Sequence, residues 1–476
     1  MDLRNFIAAV KSDGQLRDVE GADWNLEIGA ITEMVAEKDG PALLFDNIKG
    51  YPKGYRVLSN FLNNSSHINR SFGYPSDQPT LELLRAVKGK FSRMKPLPTR
   101  EVESGPVLDN IQEGGEVDLL KFPSPWWHEA DGGRYIGTGC MLIMRDPGDN
   151  WVNAGAYRLQ LHDRYTLGSH ISPGHHGRLM RENYWAQGKS CPVVAVFGVH
   201  PLIWMTSILS YAWGVPELEV AGGLAGEAVK VIKGKYTGLP IPYDAEIAIE
   251  GECPPPEVEA RPEGPFGEWP GYYASGEKMN PVIKVKQVMY RDNPIMLGAP
   301  PLKPPASGVS TYFFRSISVW QDLDDMGIPG VKGVWHLRSG GSRFFTVISL
   351  EQRYAGHAKQ AAMASMSSPE GAYNGRFTIV VDDDIDPTNE GDVLWAIATR
   401  CDPATDIDII RDCWSTPLDP TLTPEMRKAG NFTNSRAIIN ACRPYHWKDR
   451  FPRVNRVSPE LKRKTMEKWQ ALFKTL

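Results

Sequence analysis

The chain is poor in the features that mark several common classes of protein. Its six cysteines (Cys140, Cys191, Cys253, Cys401, Cys413 and Cys442) are scattered through 476 residues without a CxxC pair. That spacing argues against a zinc ribbon, a redox dithiol or a secreted disulfide framework. No apolar run reaches 18 residues, and the opening Met1-Asp2-Leu3-Arg4-Asn5-Phe6 lacks the apolar core of a signal peptide. A cytoplasmic protein with no membrane partner is expected. There is no surplus of basic charge, the formal net charge being -4, so nucleic acid is not an expected partner. No glycine-rich GxGxxG stands between a strand and a helix, and no Walker-type loop is present, which leaves a Rossmann or NTPase reading without support. Internal repeats and low-complexity tracts are also missing. With 41% hydrophobic and 23% charged residues the composition is that of a globular enzyme of roughly two to four domains acting on a small molecule.

Hydrophobic periodicity divides the chain into sections. Leu3, Phe6, Ile7 and Val10 follow Asp2 at helical spacing, a second helical pattern runs through Ile28, Ile31 and Val35 to Asp39-Gly40, and Ala42-Leu43-Leu44-Phe45 reads as a buried strand. An α/β start is expected, with a boundary near the Pro- and Trp-rich loop after Leu119. From residue 137 to about 288, short β-branched and aromatic runs such as Val193-Val194-Ala195-Val196-Phe197 predict a barrel or sandwich. Gly-Pro-rich residues 298–308 suit a linker or a loop edging a cavity. Beyond them strands (Phe345-Thr346-Val347-Ile348, Thr378-Ile379-Val380-Val381) alternate with helices near 356–366 and 393–398, predicting a small α/β layer. The run Asp382-Asp383-Asp384-Ile385-Asp386 is expected to be a solvated strand end rather than a metal cage, since no glycine-framed calcium loop follows. Ser458-Pro459 opens a terminal helix whose Leu461, Met466, Trp469, Leu472, Phe473 and Leu476 share one face, expected to pack on another domain or subunit.

Four stretches carry chemistry. Glu263-Gly264-Pro265-Phe266-Gly267-Glu268 sets two carboxylates five residues apart across a turn that can aim both into one cavity, a pattern suited to paired acid and base work but also to an ordinary solvated loop. In Trp151-Val152-Asn153-Ala154-Gly155-Ala156-Tyr157-Arg158, read as one strand, Trp151, Asn153 and Gly155 share a face and Arg158 has the other parity. Arg158 could grip a carboxylate with its planar fork, the substrate's or that of Glu263. His175 and His176 sit together in a glycine-bearing turn, where one of them could ligate a metal. Glu219, among apolar residues of Glu217-Leu218-Glu219-Val220-Ala221-Gly222-Gly223, needs a cation or a proton. An amide oxygen, an imidazole and a carboxylate suit Mn²⁺ or Mg²⁺, ions that commonly bridge protein to phosphate, and Lys359 could add a charge to the same phosphate.

In order along nearly the whole chain, Asn153-x-Gly-x-Tyr-Arg158, Glu219-Val-Ala-Gly-Gly-Leu, the strand Ala245–Gly251 leading to Glu263-Gly-Pro-Phe-Gly-Glu268, and Gly356-His-Ala-Lys359 resemble the UbiD family of reversible decarboxylases. The resemblance implies prenylated FMN as cofactor, supplied by a flavin prenyltransferase and held through its phosphate by Mn²⁺ or Mg²⁺, with K⁺ nearby. It implies an N-terminal α/β domain (1–115), a central split β-barrel of flavin-reductase type for the cofactor (116–305), a C-terminal α/β oligomerisation domain (306–457) and a C-terminal amphipathic helix (458–476), in a dimer or hexamer. By motif match Asn153, His175 and Glu219 are carried over as metal ligands, with His176 fitting the histidine position as well. His175 is preferred because Gly177 then stands in a matching place. Trp151 falls where a K⁺-site carbonyl is expected, and Lys359 at a phosphate contact. Arg158, Glu263 and Glu268 form the implied catalytic network, with Glu268 as proton donor in the reversible decarboxylation of an aromatic or heteroaromatic, rather than α,β-unsaturated, acid. The 14 tryptophans and the segment Asn431–Trp447 suit an aromatic pocket wall. A metal-dependent hydrolase built on Asn153, a histidine and Glu219, or a silent flavin-binding protein, are the alternatives.

Overall fold

The computed structural model describes residues 2–209, 211–274, 276–307 and 312–473. Helix Leu3–Ser12 starts behind Asp2, whose carboxylate accepts from the Arg4 N–H, and buries Leu3, Phe6, Ile7 and Val10, the four positions of the apolar stripe. Helix Glu27–Ala36 and strand Ala42–Asp46 follow where the periodicity puts them. Strands Leu16–Glu20, Ala42–Asp46, Arg56–Ser59 and Ile295–Gly298 make the first sheet in that order. Its fourth strand comes from far along the chain, so this sheet is not completed within the first 115 residues.

The central layer is a ten-stranded antiparallel sheet. The main path runs Tyr135–Gly137, Arg158–Leu161, Thr166–His170, Lys278–Tyr290, Ile247–Cys253, Cys191–Phe197, Cys140–Arg145, Val152–Gly155, with Asn110–Glu113 and Ala260–Glu263 added against Lys278–Tyr290. Both faces of its middle are buried, which explains why these strands read as unbroken apolar runs. Met141, Ile143, Val194 and Val196 face one core, and Cys140, Leu142, Met144, Val193, Ala195 and Phe197 face the other.

Strands Val152–Gly155 and Arg158–Leu161 stand near opposite ends of this path although only Ala156 and Tyr157 separate them. The sheet must therefore curl until its ends approach, giving a half-barrel. Reading 151–158 as one strand is thereby corrected: the chain leaves one edge at Gly155 and re-enters near the other at Arg158, so a single parity does not relate Asn153 to Arg158.

The third section forms a five-stranded sheet, Val331–His336, Phe345–Leu350, Phe377–Asp382, Thr433–Ala441, Ile407–Trp414, parallel in its middle pairings and antiparallel at both edges. Helices Tyr312–Asp325, His357–Ser367 and Glu390–Arg400 accompany it. Asp382 is not a solvated strand end. It is buried and accepts from Gln352 Nε2 at 2.8 Å, Arg400 at 3.0 Å and the Arg443 N–H at 2.7 Å, while Asp384 takes the other side of the Arg400 fork at 2.8 and 2.9 Å. The acidic run neutralises a buried arginine, which is why it follows a strand of the core. The terminal helix Pro459–Lys468 leaves Leu461, Met466 and Trp469 exposed, as is Leu472 beyond it, while the expected contributions of the Phe473 side chain and of Leu476 lie outside the described residues. Among the described residues no helix is long and apolar enough to cross a membrane.

Replacing Asp382 by alanine leaves Arg400 with Asp384 alone in a site where its side chain is 1% exposed. The expected loss is about 3 kcal/mol, the low end for a broken buried pair because one partner stays, read as a fall in Tm and in unfolding free energy by calorimetry and urea titration.

Candidate active site

Arg158 opens its strand directly opposite His170, and Glu263 ends the strand Ala260–Glu263 opposite Lys278. Because Thr166–His170 and Ala260–Glu263 both pair with Lys278–Tyr290, residues 105 positions apart in sequence meet side by side. The Arg158 guanidinium donates Nε to Glu263 Oε1 at 2.8 Å and Nη2 to Glu263 Oε2 at 3.0 Å, a fork-to-fork pair, and Nη1 to Glu268 Oε1 at 2.8 Å. Glu263 is 2% exposed and fully engaged: the Tyr135 hydroxyl donates to Oε1 at 3.0 Å and Asn280 Nδ2 to Oε2 at 2.9 Å. His170 Nδ1 comes within 3.8 Å of Glu263, but burial and the neighbouring Arg158 push its pKa down to about 4, so it stands there neutral.

The turn between the two glutamates is held from outside. Gly264 has φ +85°, a conformation glycine takes without strain, and the Gly132 N–H donates to the Pro265 carbonyl at 2.7 Å. A Cβ on Gly132 would lie 1.9 Å from the Gly264 carbonyl oxygen, so only glycine permits this approach. Phe266 is buried against the Tyr135 ring at 4.1 Å and lies under the Arg158 guanidinium at 5.2 Å.

Electrostatics make the two acids unequal. Burial pushes Glu263 up, yet the bonds from Arg158 outweigh it and the net pKa lies below the ordinary glutamate range. Burial also pushes Glu268 up, and there the single contact to Arg158 does not compensate, so its pKa is raised. Burial opposes the Arg158 charge, but the flanking carboxylates prevail and hold it cationic. One carboxylate is thus kept ionised beside another biased toward its protonated form.

A second polar group gathers around Asn153. Its Nδ2 donates to Glu217, whose other oxygen accepts from the Ala154 N–H at 2.8 Å, while the buried Asn153 Oδ1 has no partner among the described residues. Glu217 is buried, and desolvation raises its pKa to about 7. Glu219, the acid expected here, lies two residues on and is only half-buried. Helix Glu217–Ala225 explains the difference: Glu217, Val220, Ala221 and Leu224 form its buried face at i, i+3, i+4, i+7, and Glu219 is off that face. That spacing was the signal available in the sequence. An orphaned amide oxygen beside a buried carboxylate fits a hard divalent cation. His175 stands at the start of helix His176–Trp185, its ring edge-on to Tyr157 at 5.9 Å, and the Tyr157 hydroxyl accepts from the Gly177 N–H at 3.2 Å. Burial and the positive charges of Arg343 and Arg315 keep His175 neutral, the form that ligates metal. His176 turns instead to the Trp151 and Trp213 rings, at 5.0 and 5.4 Å. The Trp151 carbonyl accepts from the Asp146 N–H at 2.8 Å.

Lys359 is not brought to either group. It pairs with Asp408 at 2.9 Å on an exposed surface, with about half of its side chain open to solvent. Among the described residues the C-terminal section brings Arg343, stacked on Trp269 at 4.7 Å, near both Glu268 and His175, and Arg315, paired with Glu370, near His175. Neither was picked out from the sequence. Residues 431–447 also lie elsewhere, largely in the strand Thr433–Ala441. A cavity of about 470 Å³ does open beside Glu268, walled by Trp127, Tyr272 and Tyr273 and edged by Pro301, Leu302 and Lys303 of the Gly-Pro-rich loop.

Comparison with known proteins identifies the family. Three domain models of 3-octaprenyl-4-hydroxybenzoate carboxy-lyase match in succession: the N-terminal domain over residues 7–87, the Rift-related domain over 100–304 and the C-terminal domain over 310–441. The chain is 32% identical over 463 residues to pyrrole-2-carboxylic acid decarboxylase of Pseudomonas aeruginosa, covering 93% of this chain and 91% of that one. It is 31% identical to a phenolic acid decarboxylase of Bacillus subtilis over 89% of each. In structure it is similar to the UbiD-class enzyme HmfF from Pelotomaculum thermopropionicum in complex with FMN, with a TM-score of 0.84, 29% identity and 97% and 98% of the two chains covered. An evolved dimeric form of HmfF in complex with prFMN gives 0.81 at 28% identity over the same shares. The chain belongs to the UbiD family and is a carboxy-lyase.

Proposed function

We propose that this enzyme removes CO₂ from an aromatic or heteroaromatic carboxylic acid, reversibly and without net oxidation, using prenylated FMN and with Glu268 as the proton donor. The observation that supports it best is the single guanidinium of Arg158 holding both glutamates while their pKa values diverge in opposite directions. The relatives named for pyrrole-2-carboxylic and phenolic acids favour a ring substrate, and the HmfF complexes favour the cofactor.

Loss of CO₂ from a ring carbon leaves electrons that the ring itself stabilises poorly, and the bound prenylated flavin supplies the sink. The chain's own residues do the rest. Arg158 has five N–H groups and spends three on the glutamates, so two remain to orient the substrate carboxylate. Glu263 keeps that guanidinium fixed and ionised, and Tyr135 and Asn280 keep Glu263 fixed. Glu268 stays protonated until the carbon that lost CO₂ needs a hydrogen, and gives it; run backwards, its carboxylate is the base. Asn153, Glu217 and His175 would hold a divalent ion at the cofactor phosphate, with Glu217 in the place for which Glu219 was expected. The exposed faces of the terminal helix and of the edge strand Ile407–Trp414, including Ile409 and Trp414, support a homo-oligomer.

Glu268→Gln keeps the size and polarity of the side chain and removes the transferable proton. It is expected to lower kcat by ~10²–10⁴-fold with the cofactor absorbance retained, followed as CO₂ release from a panel of aromatic acids. Full activity would remove Glu268 from this role. Decarboxylation needs Glu268 protonated, so kcat should fall as pH rises through a pKa above the ordinary glutamate value, and Glu263, held low, should add no limb in that range. A pH–rate profile of wild type against Glu268→Asp reads this. Metal content of purified holoenzyme separates the two candidate ligands: Glu217→Gln should lose the divalent ion and Glu219→Gln should keep it.

A further inference from the structure

Each decarboxylation by the proposed route consumes one proton from Glu268, and that carboxylate must be recharged before the next turnover. On one side Glu268 is closed off by Arg158. On another it borders the cavity of about 470 Å³, far larger than the roughly 30 Å³ that one water occupies in the liquid. The same cavity is lined by Ala30 and Glu33 of the N-terminal helix Glu27–Ala36 and by residues 127–130, where His128 lies between two acids. Its Nδ1 is 3.6 Å from Asp131 Oδ2 and its Nε2 3.5 Å from Glu33 Oε2. Asp131 is buried, accepts from the His128 N–H at 3.1 Å and from the Tyr273 hydroxyl at 3.1 Å, and so fixes the ring from behind. Through Gly132 the same turn is hydrogen bonded to Pro265, between the two glutamates. The placement of His128 and that of Glu268 are therefore mechanically linked.

We infer that His128 is the proton-entry residue of this enzyme, passing protons from bulk solvent through water in this cavity to Glu268. The inference rests on Glu268 being the proton donor. After turnover a cavity water gives a proton to the Glu268 carboxylate and takes one from the protonated imidazole. The neutral ring is then recharged from solvent on its half-exposed Glu33 side, so one solvent proton enters per CO₂ released. Carboxylation runs the path outward. The groups around His128 are Asp131 and Glu129 on its own turn, Glu33 from the helix and, lining the same cavity, Tyr272, Tyr273, Lys303 and Glu268. Burial lowers the His128 pKa, but Asp131 and Glu33 overcome that and raise it above the ordinary histidine value.

The test uses holoenzyme loaded with prenylated FMN and the best substrate of an aromatic-acid panel. His128→Gln should lower kcat by about 10-fold, less than loss of the acid itself, with KM and the cofactor spectrum unchanged. The solvent deuterium isotope effect on kcat should rise, because recharging has become slow, and added imidazole should restore most of the rate. Glu33→Gln, on a half-exposed side chain, should give a smaller change in the same direction. An unchanged kcat and isotope effect in His128→Gln, or a rise in KM that imidazole does not reverse, would overturn the inference. Glu268→Gln run in parallel separates the cases: an inactive Glu268→Gln with a fully active His128→Gln removes the relay alone, while an active Glu268→Gln removes the proton-donor reading beneath it.

Discussion

The bidentate pair between Arg158 and Glu263 is the interaction on which the site depends. Both groups are largely withdrawn from water, so each is tolerable only because the other is there, and losing one partner of such a pair costs about 3–5 kcal/mol. The surroundings are arranged to keep it: Tyr135 and Asn280 satisfy the remaining capacity of Glu263, and Phe266 lies under the guanidinium. The pair also sets the state of the third member. Because Arg158 commits two of its bonds to Glu263 and one to Glu268, the charge it lends is unevenly divided, and the acid that receives less is the one left able to hold a proton.

That division would be useless without the curled sheet beneath it. The chain passes from Gly155 to Arg158 across the closing gap of the half-barrel, and this crossing separates the two polar groups. Asn153, with Glu217 and His175, lies on the incoming edge, and Arg158, with the two glutamates, on the outgoing edge. The residues proposed for acid–base work and those proposed to hold a cation are thereby kept apart although Asn153 and Arg158 are neighbours in sequence. The N-terminal section contributes part of the wall of the cavity beside Glu268, and the C-terminal section brings Arg343 toward that carboxyl, so all three sections meet around one group.

Much of this was legible in the linear chain wherever the physics is local. The apolar stripe of helix Leu3–Ser12, the buried runs at 42–46 and 191–197 and the alternation of the C-terminal section all follow from periodicity that each segment carries within itself. Glu263 and Glu268 could be paired across their turn, and Arg158 linked to Glu263, because a guanidinium and a carboxylate that are both to be buried need each other. Reading failed where two local choices were chemically alike. Glu217 and Glu219 differ only in helical phase, and the acids at 382–384 look like any exposed acidic loop until Arg400 is known to lie against them.

By itself the sequence determined most of the segments that become helices and strands and which residue types must be buried, and it singled out the arginine and the pair of acids of the proposed chemistry, since each rests on side-chain spacing or on the cost of an unpaired charge. Only the tertiary structure decided that Arg158 grips both glutamates at once, that Lys359 is spent on Asp408, and that His128 shares a cavity with Glu268. Those outcomes depend on contacts between residues tens to hundreds of positions apart, fixed by how the sheet curls and how a helix is rotated on its neighbours, and no short stretch of chain encodes either.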